Sequence, residues 1–304
     1  MSAAPSIGSI GSIVFDSHND RSKGVITEIF DSDRLLHWRL RQLCEEHTYG
    51  SRLQIHTFVT KDVQPDVQNI HWGGFNLSLE AFIPIHGHPR IAGVAYYGAN
   101  NARRVVSDRV KSEEERLYLQ VMKRPFRPLP DVTVEELKAG HVRRGDISDL
   151  VTIYRSGYSN YHIDFTEQSV RSIVENSMVL VVREGTTIVS ACVVEMVEIP
   201  FLNTLPLRLA NITNAVTRRD CRDRGYYSAT KRTAILHLRF GGDPIPTVIT
   251  TEARANSGRV LRSNMRLGMV YAGYEPMDSV ISSSNDEEVS QDNRFANLIV
   301  FYAP

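Results

Sequence analysis

The sequence predicts an α/β (α+β) protein with a central mixed, mostly antiparallel sheet flanked by helices, preceded by a smaller α+β domain. Three observations predict it. Several segments alternate apolar and polar residues as strands do, others repeat apolar residues at helical spacing, and residues 131–304 order these segments as ααβββαβαββ. That order is more specific than any single motif in the chain.

The composition is that of an ordinary two-domain globular protein. Of its 304 residues 42% are hydrophobic and 23% charged, and 35 basic residues balance 35 acidic ones. Nucleic acid calls for a basic face, and no stretch approaches the ~20 apolar residues of a membrane span, so we expect neither partner. Three widely spaced cysteines favour a reducing cytoplasm, and the N-terminus lacks a signal-peptide pattern.

The first half is predicted to hold a flexible N-terminus at 1–11 and an α+β domain at 12–130. Asp33 is expected to cap a helix, and a capping box of Ser112 and Glu115 to open another that ends at Met122. Prolines 125, 128 and 130 mark the boundary of a second domain at 131–304. Strands are expected at 13–15, 25–30, 53–59, 75–85 and 91–97.

The second half is expected to begin with a strand at 141–143 and a helix capped by Asp146. Further helices are predicted at 166–175, 225–240 and 257–267, and a mobile polar loop at 282–292. Strands are predicted at 178–183, 187–197, 207–217, 247–251, 269–274 and 296–302.

A basic loop, Arg218–Arg224, follows the strand at 207–217 and precedes a helix that begins at Gly225. Free backbone N–H groups and the helix dipole make such a helix start an anion site, to which arginines add charge-assisted hydrogen bonds. A solvated charged loop with Gly225 as a turn residue is the alternative.

At this loop the chain resembles the GCN5-related N-acetyltransferase superfamily, whose pattern is Arg/Gln-x-x-Gly-x-Gly/Ala. Arg222-x-x-Gly225-x-Tyr227 matches two of the three marked positions. Segments at 154–158, 253–255, 267–273, 19–21 and 80–84 resemble the β-lysine N-acetyltransferases within it. The resemblance implies that fold, and transfer of an acyl group from a phosphopantetheine thioester to an amine in a ternary complex. It also implies an N-terminal domain that belongs to the family architecture. The strand–helix–strand–strand–strand order predicted for this domain indicates a second, truncated acetyltransferase-like unit.

The resemblance also implies where the donor binds, whether it is acyl-coenzyme A or an acyl carrier protein. The implied residues are Asn214, Ala215, Val216, Thr217, Arg222, Asp223, Arg224, Gly225, Tyr226, Tyr227 and Asn256. Tyr227 departs from the pattern, and its ring is expected to crowd a pyrophosphate where a small residue would not. We therefore hypothesise a carrier-protein donor contacted by Arg218, Arg219, Arg222 and Arg224. In the alternative, Tyr227 points away and coenzyme A binds.

The acceptor is expected to meet Asn211 and Asn214, which replace carboxylates of the β-lysine enzymes. Because amides add no Coulomb attraction, we expect a less cationic amine, such as an intermediate of a specialised metabolite or antibiotic. Tyr161 and Arg254 complete this expected site. Arg254 is suited to bind a carboxylate bidentately, with a surface ion pair as the alternative.

Glu195 is the candidate general base, with an exposed strand carboxylate as the alternative. Asn264 stands where many superfamily members carry a tyrosine that protonates the leaving thiolate. Because asparagine cannot act as an acid, Tyr226, Tyr227 or Tyr271 is expected to substitute, or the thiolate leaves unassisted. Cys221 beside arginines allows an acyl-cysteine route, because cations lower a thiol pKa. No metal site or tightly bound cofactor is expected. The competing interpretations are an acetyl-coenzyme A-dependent β-lysine N-acetyltransferase and a non-catalytic acyl- or partner-binding protein.

Overall fold

A computed structural model describes most of the chain. The described residues are 9–10, 13–17, 19–46, 51–63, 70–72, 75–100, 104, 106–126, 128–158, 161, 163–201, 204–279 and 296–304. The predicted loop at 282–292 and most of the predicted flexible N-terminus lie outside them. Residues 9 and 10 form a short strand, which corrects the prediction at those two positions.

The part of the chain from residue 9 to residue 137 alternates strands with two helices, and its last strand already lies in the predicted domain 131–304. Its elements are β1 (Ser9–Ile10), β2 (Ile13–Asp16), β3 (Arg21–Phe30), α1 (Asp33–Glu46), β4 (Arg52–Val59), β5 (Ile70–Trp72), β6 (Phe75–Pro84), β7 (Gly93–Asn100), α2 (Asp108–Met122) and β8 (Glu135–Leu137). In α1 the apolar face of Leu36, Leu40 and Leu43 is buried, which explains why this segment forms a helix against the sheet.

The second half has the predicted order ααβββαβαββ. Its elements are α3 (Asp146–Gly157), α4 (Glu167–Asn176), β9 (Met178–Glu184), β10 (Thr187–Ile199), β11 (Leu207–Thr217), α5 (Tyr226–Phe240), β12 (Thr247–Arg254), α6 (Gly258–Arg266), β13 (Val270–Ser279) and β14 (Ala296–Ala303). The mixed α+β class and the bounds of β11 are confirmed. None of the helices in the described residues combines the length and apolar character needed to cross a membrane.

The described strands form one mixed sheet. Its order is β1-β3-β4-β7-β6-β13-β14-β12-β11-β10-β9-β8, with β2 beside β3 and β5 beside β6. The two halves of the chain meet where β6 pairs with β13, through Ala81 and Gly273. A Cβ atom at Gly273 would overlap the backbone of Glu80 and Ala81, so only glycine allows the two strands to approach this closely.

Two predicted elements begin elsewhere. The helix α2 starts at Asp108, and Ser107 caps it by accepting from the amide of Val110 at 3.3 Å; Ser112 lies inside the helix. The strand expected at 141–143 is wrong, because the amide of Arg143 donates to the carboxylate of Asp146 at 2.8 Å instead of to a strand. A short 3-10 turn, Ala139–His141, occupies this region.

Two predicted cap residues are each replaced by their predecessor. Ser32 precedes α1 and its hydroxyl accepts from the amide of Leu35 at 3.4 Å, while Asp33 is already the first helical residue. Gly145, in the left-handed region at φ 99°, occupies the N-cap of α3, and Asp146 follows it.

Candidate functional site

A fork between β11 and β12 creates the site. The two strands pair in parallel from Arg208–Asn211 against Thr247–Thr250, although they continue to Thr217 and Arg254. Beyond this point β11 stays paired with β10, and β12 with β14, so the facing edges separate. A cleft of about 950 Å³ fills the space between them.

A β-bulge shapes the open edge of β11. Thr213 pairs with Val193 and Val216 with Ala191, so Asn214 and Ala215 together oppose one residue of β10. Asn214 adopts the left-handed region at φ 47°, which asparagine tolerates better than most residues. The bulge therefore interrupts the regular pairing of β11 with β10 at Asn214 and Ala215, and both residues line the cleft.

Two stacked tyrosines hold the bulge in place. The ring centroids of Tyr158 and Tyr161 lie 4.5 Å apart. Tyr158 donates to the carbonyl oxygen of Ala215 at 3.1 Å, and Tyr161 donates to Oδ1 of Asn214 at 2.5 Å. Asn214 Nδ2 is buried and has no hydrogen-bond partner among the described residues, which leaves a donor for a ligand. Burial raises the pKa of both phenols.

Lys231 lies at the apex of the fork. Its Nζ donates to Oγ1 of Thr251 and to Oδ1 of Asn264, each at 2.8 Å. The Thr251 hydroxyl donates in turn to the carbonyl oxygen of Ile212 at 2.7 Å. Lys231 is 1% exposed, and burial lowers the pKa of its ammonium group from 10.5 to about 7. Sequence reasoning missed this residue, because its partners are 20 and 33 residues away.

The mouth of the cleft is basic. Asp223 and Gly225 both adopt the left-handed region, at φ 63° and 83°, just before the first turn of α5. Backbone N–H groups of such a turn form a concavity for anions. Arginines surround it: Arg124, Arg222, Arg259, Arg262 and Arg266 line the cleft.

Three of these arginines were missed although a local signal exists. Arg259, Arg262 and Arg266 follow one another at intervals of three and four residues, which places them on one face of α6. Burial, followed by the charges of Arg219 and Arg259, lowers the pKa of Arg222, which shows how closely the positive charges are gathered.

The first half of the chain supplies a further part of the cleft wall, which sequence reasoning also missed. Val14, Asp16, Arg21 and Lys23 line the same cleft. Lys23 is 4% exposed, and its Nζ lies 3.7 Å from Glu252 without a hydrogen-bond partner among the described residues. This ammonium group is therefore able to bind an anionic group of a ligand.

Beside Lys23 lies a group of carboxylates, of which Glu252 also lines the cleft. Oxygen atoms of Glu252, Glu275 and Asp278 come within 4.8 Å of one another, a spacing that could hold a cation. Arg52 pairs with Asp278 at 2.9 Å and Arg21 pairs with it as well, so basic side chains already compensate its charge. Burial raises the pKa of Glu275 well above its ordinary value.

The cleft brings together most of the predicted donor and acceptor residues. Those lining it are Tyr161, Asn211, Asn214, Ala215, Val216, Thr217, Arg222, Asp223, Gly225, Tyr226, Tyr227 and Arg254. Arg218, Arg219, Arg224 and Asn256 do not line it. Arg218 pairs with Asp220 at 2.6 Å and Arg224 with Glu184 at 2.5 Å, so both guanidinium groups have acidic partners outside the cleft.

The proton-transfer candidates are separated by the structure. Glu195 pairs with Asn211 across β10 and β11, so the two side chains lie on the same face of the sheet. Glu195 is half-buried and, unlike Asn211, does not line the cleft. Asn264 is buried beneath the cleft as the partner of Lys231. Tyr271 is 46% exposed and packs against Tyr118 of α2, so β13 does not bring its hydroxyl into the cleft.

Two expectations about side-chain chemistry require correction. The ring of Tyr227 was expected to crowd a pyrophosphate at the basic loop. Instead its centroid lies 5.2 Å from Lys231 Nζ, at the apex of the fork. Cys221 is 1% exposed, and burial raises the pKa of its thiol despite the opposing charge of Arg218. A thiolate for an acyl-cysteine route is therefore disfavoured.

Comparisons with solved structures return N-acetyltransferases, while no family model and no curated protein matches the sequence. The chain is similar to the N-acetyltransferase from Staphylococcus aureus Mu50 (13% identity over 57% of this chain and 97% of that one, TM-score 0.39). It is similar to the ribosomal-protein-S18-alanine N-acetyltransferase from Escherichia coli (14%, 57% and 92%, TM-score 0.39). It is also similar to Arabidopsis thaliana NAA60 in complex with acetyl-CoA (11%, 57% and 97%, TM-score 0.43).

These identities concern the fold alone. All three TM-scores are below 0.5, so the resemblance to the GCN5-related superfamily and the finer likeness to β-lysine N-acetyltransferases both stay predictions.

Proposed function

We propose that the chain is an N-acyltransferase that moves an acyl group from a phosphopantetheine thioester to an amine of a small molecule, by direct transfer in a ternary complex. The observation that carries the proposal is the fork between β11 and β12. Arginines at and near the turn before α5 line the cleft that this fork opens, and so do charged residues of both signs from both halves of the chain. We assign the donor to the first group and the acceptor to the second.

The donor side suits a long ligand with a phosphate at one end. A phosphate group fits the turn before α5, where backbone N–H groups and the helix dipole favour negative charge. The pantetheine arm carries amides, which suit the separated edge of β11 from Asn214 to Thr217 as an added strand would. Its thioester then lies toward Ile212 and the apex.

The arginines favour acyl-coenzyme A as the donor. Coenzyme A carries a pyrophosphate and a 3′-phosphate, whereas a carrier protein presents the same arm on one phosphodiester. Five arginines at the mouth suit the ligand with more phosphates. Since the Tyr227 ring lies at the apex, the steric argument for a carrier protein is weakened, and the carrier becomes the alternative that the experiment tests.

The acceptor side suits an amine that also carries an anionic group. Lys23 and Arg254 both line it, and the charge of Glu252 is compensated by Lys23. Among these three residues, the only carboxylate is therefore already paired and does not attract the second ammonium group of a dibasic amino acid such as β-lysine. We therefore propose a less cationic amine, such as an intermediate of specialised metabolism. Glu195, acting through water, stays the proposed general base.

Calorimetry with acetyl-coenzyme A tests the donor site. We expect micromolar binding that Arg222→Ala abolishes, while Arg232→Ala, an exposed position of α5 outside the cleft, leaves it unchanged. Single-turnover assays with acetyl-coenzyme A and an acetylated carrier protein, over a panel of amines, then identify the donor. Binding without transfer to any amine would support the non-catalytic alternative. Absence of binding to both donors would overturn the proposal.

A further inference from the structure

The buried lysine at the apex of the fork has no acidic partner. Lysine is rarely buried unless a carboxylate compensates its charge. Among the described residues Lys231 forms no ion pair, and its two hydrogen-bond partners, Thr251 and Asn264, are neutral. Packing alone does not call for an ammonium group at this position, because methionine has a similar length and shape.

The hydrogen bonds around Lys231 determine how many of its N–H bonds are already donated to protein acceptors. The proton of the Thr251 hydroxyl goes to the carbonyl oxygen of Ile212, so Thr251 accepts from Lys231. Asn264 accepts through Oδ1. A protonated lysine has three N–H bonds and the two partners take two of them, so one remains for a ligand in the cleft that Lys231 lines.

The position of Lys231 matches the reactive end of the proposed donor. The phosphate site lies before Tyr226, at the start of α5, and the arm runs along β11 toward Ile212. Thr251 and Ile212 are the first residues beyond the last β11–β12 pair, and Thr251 contacts Lys231 directly. A thioester that reaches the end of this path therefore meets Lys231 Nζ.

We infer that Lys231 is a catalytic residue, the general acid that protonates the leaving sulfur, an inference that rests on the proposed acyl transfer. The acceptor nitrogen forms a bond to the thioester carbon, and the carbon–sulfur bond breaks with its electron pair on sulfur. A proton passes from Lys231 Nζ to sulfur, which gives the free thiol. The acceptor nitrogen releases one proton to solvent, and Lys231 regains one from solvent.

Burial makes this lysine a better acid than an ordinary one. A thiol has a pKa of about 8.5 and an exposed lysine about 10.4, so an ordinary ammonium group would hold its proton more tightly than the departing thiolate. Because burial lowers the pKa of Lys231 to about 7, the transfer to sulfur becomes favourable. Thr251 and Asn264 also hold Nζ in one position, which a catalytic acid requires.

Nuclear magnetic resonance tests the state and position of Lys231 without knowledge of the acceptor. The chain has six lysines, so ¹³Cε-lysine spectra are simple and Lys231→Met assigns the signal. We expect the Lys231 signal to titrate near pH 7. Coenzyme A should shift the Lys231 signal, whereas adenosine 3′,5′-bisphosphate, which lacks the pantetheine arm, should not. Coenzyme A that binds without shifting it would overturn the inference.

Leaving-group chemistry tests the role itself. With acetyl-coenzyme A and an amine that the wild type acylates, we expect Lys231→Met to lower kcat about 10²–10⁴-fold, the usual contribution of a general acid. Lys231→Arg should not restore activity, because a guanidinium group does not give up its proton. With the selenoester analogue, whose selenolate leaves without protonation, the loss should nearly disappear.

The outcomes separate this role from the proposed function. A merely structural role would reduce transfer equally from the thioester and the selenoester, and would overturn the inference. Thermal unfolding of Lys231→Met, with Lys111→Met as the matched control, shows whether the fold is retained. A wild-type protein that transfers from neither donor overturns the proposed function and this role with it. Equal activity of the wild type and Lys231→Met overturns the role alone.

Discussion

The hydroxyl group of Thr251 donates to the carbonyl oxygen of Ile212 at 2.7 Å, from one strand to the other immediately past their last pair. This hydrogen bond closes the apex of the fork, where the regular ladder ends. It also orients Thr251 so that its oxygen is available to Lys231. Strand separation and the position of the lysine thus depend on one side chain.

Thr251→Val should destabilise the protein, because it removes the buried hydrogen bonds that the Thr251 hydroxyl forms with the carbonyl oxygen of Ile212 and with Lys231 Nζ. A buried unsatisfied partner costs about 1–3 kcal/mol, and the variant loses two hydrogen bonds. Urea unfolding measures the change. Thr250→Val is the matched control, since the contacts of that hydroxyl are at the limit of 3.5 Å. Equal losses in the two variants would contradict the importance of the Thr251 bridge.

Arg259→Ala should weaken coenzyme A binding about tenfold, because a charge-assisted hydrogen bond to a phosphate is lost. Binding should also become less sensitive to salt, since one cation fewer faces the phosphates. Calorimetry at two salt concentrations measures both effects. Arg171→Ala, exposed on α4 away from the cleft, should change neither. Unchanged affinity in Arg259→Ala would remove α6 from the donor site.

Lys23→Met should raise the KM for the acceptor about tenfold and leave kcat and donor binding nearly unchanged. Its Nζ is buried and lacks a hydrogen-bond partner among the described residues, so an acceptor carboxylate would provide one. Steady-state kinetics with an amino acid that the wild type acylates measure the change. Lys61→Met, at an exposed position, is the control. A lower kcat with unchanged KM would place Lys23 outside the acceptor site.

Stability should fall with rising pH because of Glu275. Burial raises its pKa in the folded state, so the folded protein keeps this proton after the unfolded chain has lost it. Above the unfolded pKa of about 4.3, the free energy of unfolding therefore decreases by up to about 1.4 kcal/mol per pH unit, until the folded pKa is reached.

The variant Glu275→Gln tests this pH dependence, because glutamine imitates the protonated acid. Gln54 donates to Glu275 Oε1 at 2.5 Å, and the amide oxygen keeps that acceptor. Urea unfolding from pH 5 to pH 9 should show a smaller decrease for the variant than for the wild type. Glu113→Gln, at an exposed position of α2, should follow the wild type. Parallel curves for Glu275→Gln and the wild type would show that Glu275 titrates normally.

Gly273→Ala should destabilise the protein by about 3 kcal/mol or more, because its Cβ would overlap backbone atoms of Glu80 and Ala81 that cannot move independently. Urea unfolding measures the loss. Gly140→Ala is the control, since that glycine has open space around it. A variant as stable as the wild type would mean that β6 and β13 do not meet as closely as described.

Local sequence signals predicted the second half well. The strands predicted at 178–183 and 187–197 are β9 and β10, which pair as a hairpin, and Gly225 was predicted to begin α5 and precedes its first residue as the N-cap. Thr166 was predicted to begin α4, and it caps that helix in a capping box with Ser169. In each case the residues that determine the structure are neighbours in the chain, so the sequence alone contains the information.

The parts of the site that depend on distant partners could not be predicted in this way. Lys231 occupies an ordinary position on a helix, and only the approach of Thr251 and Asn264 isolates it from water. Lys23 belongs to the first half of the chain and lines the cleft of the second half, and the two halves are joined where β6 pairs with β13. Neither relationship leaves a local pattern, whereas the arginines of α6 do.

The pairing of Ala81 with Gly273 has a consequence for the independence of the two predicted domains, 12–130 and 131–304. A fragment that begins at residue 131 would expose the side of β13 that β6 covers, and unpaired strand edges promote aggregation. The fragment would also lack the wall that includes Lys23. Evolution could therefore not exchange the first half freely, because the same contact that protects the sheet also completes the proposed acceptor site.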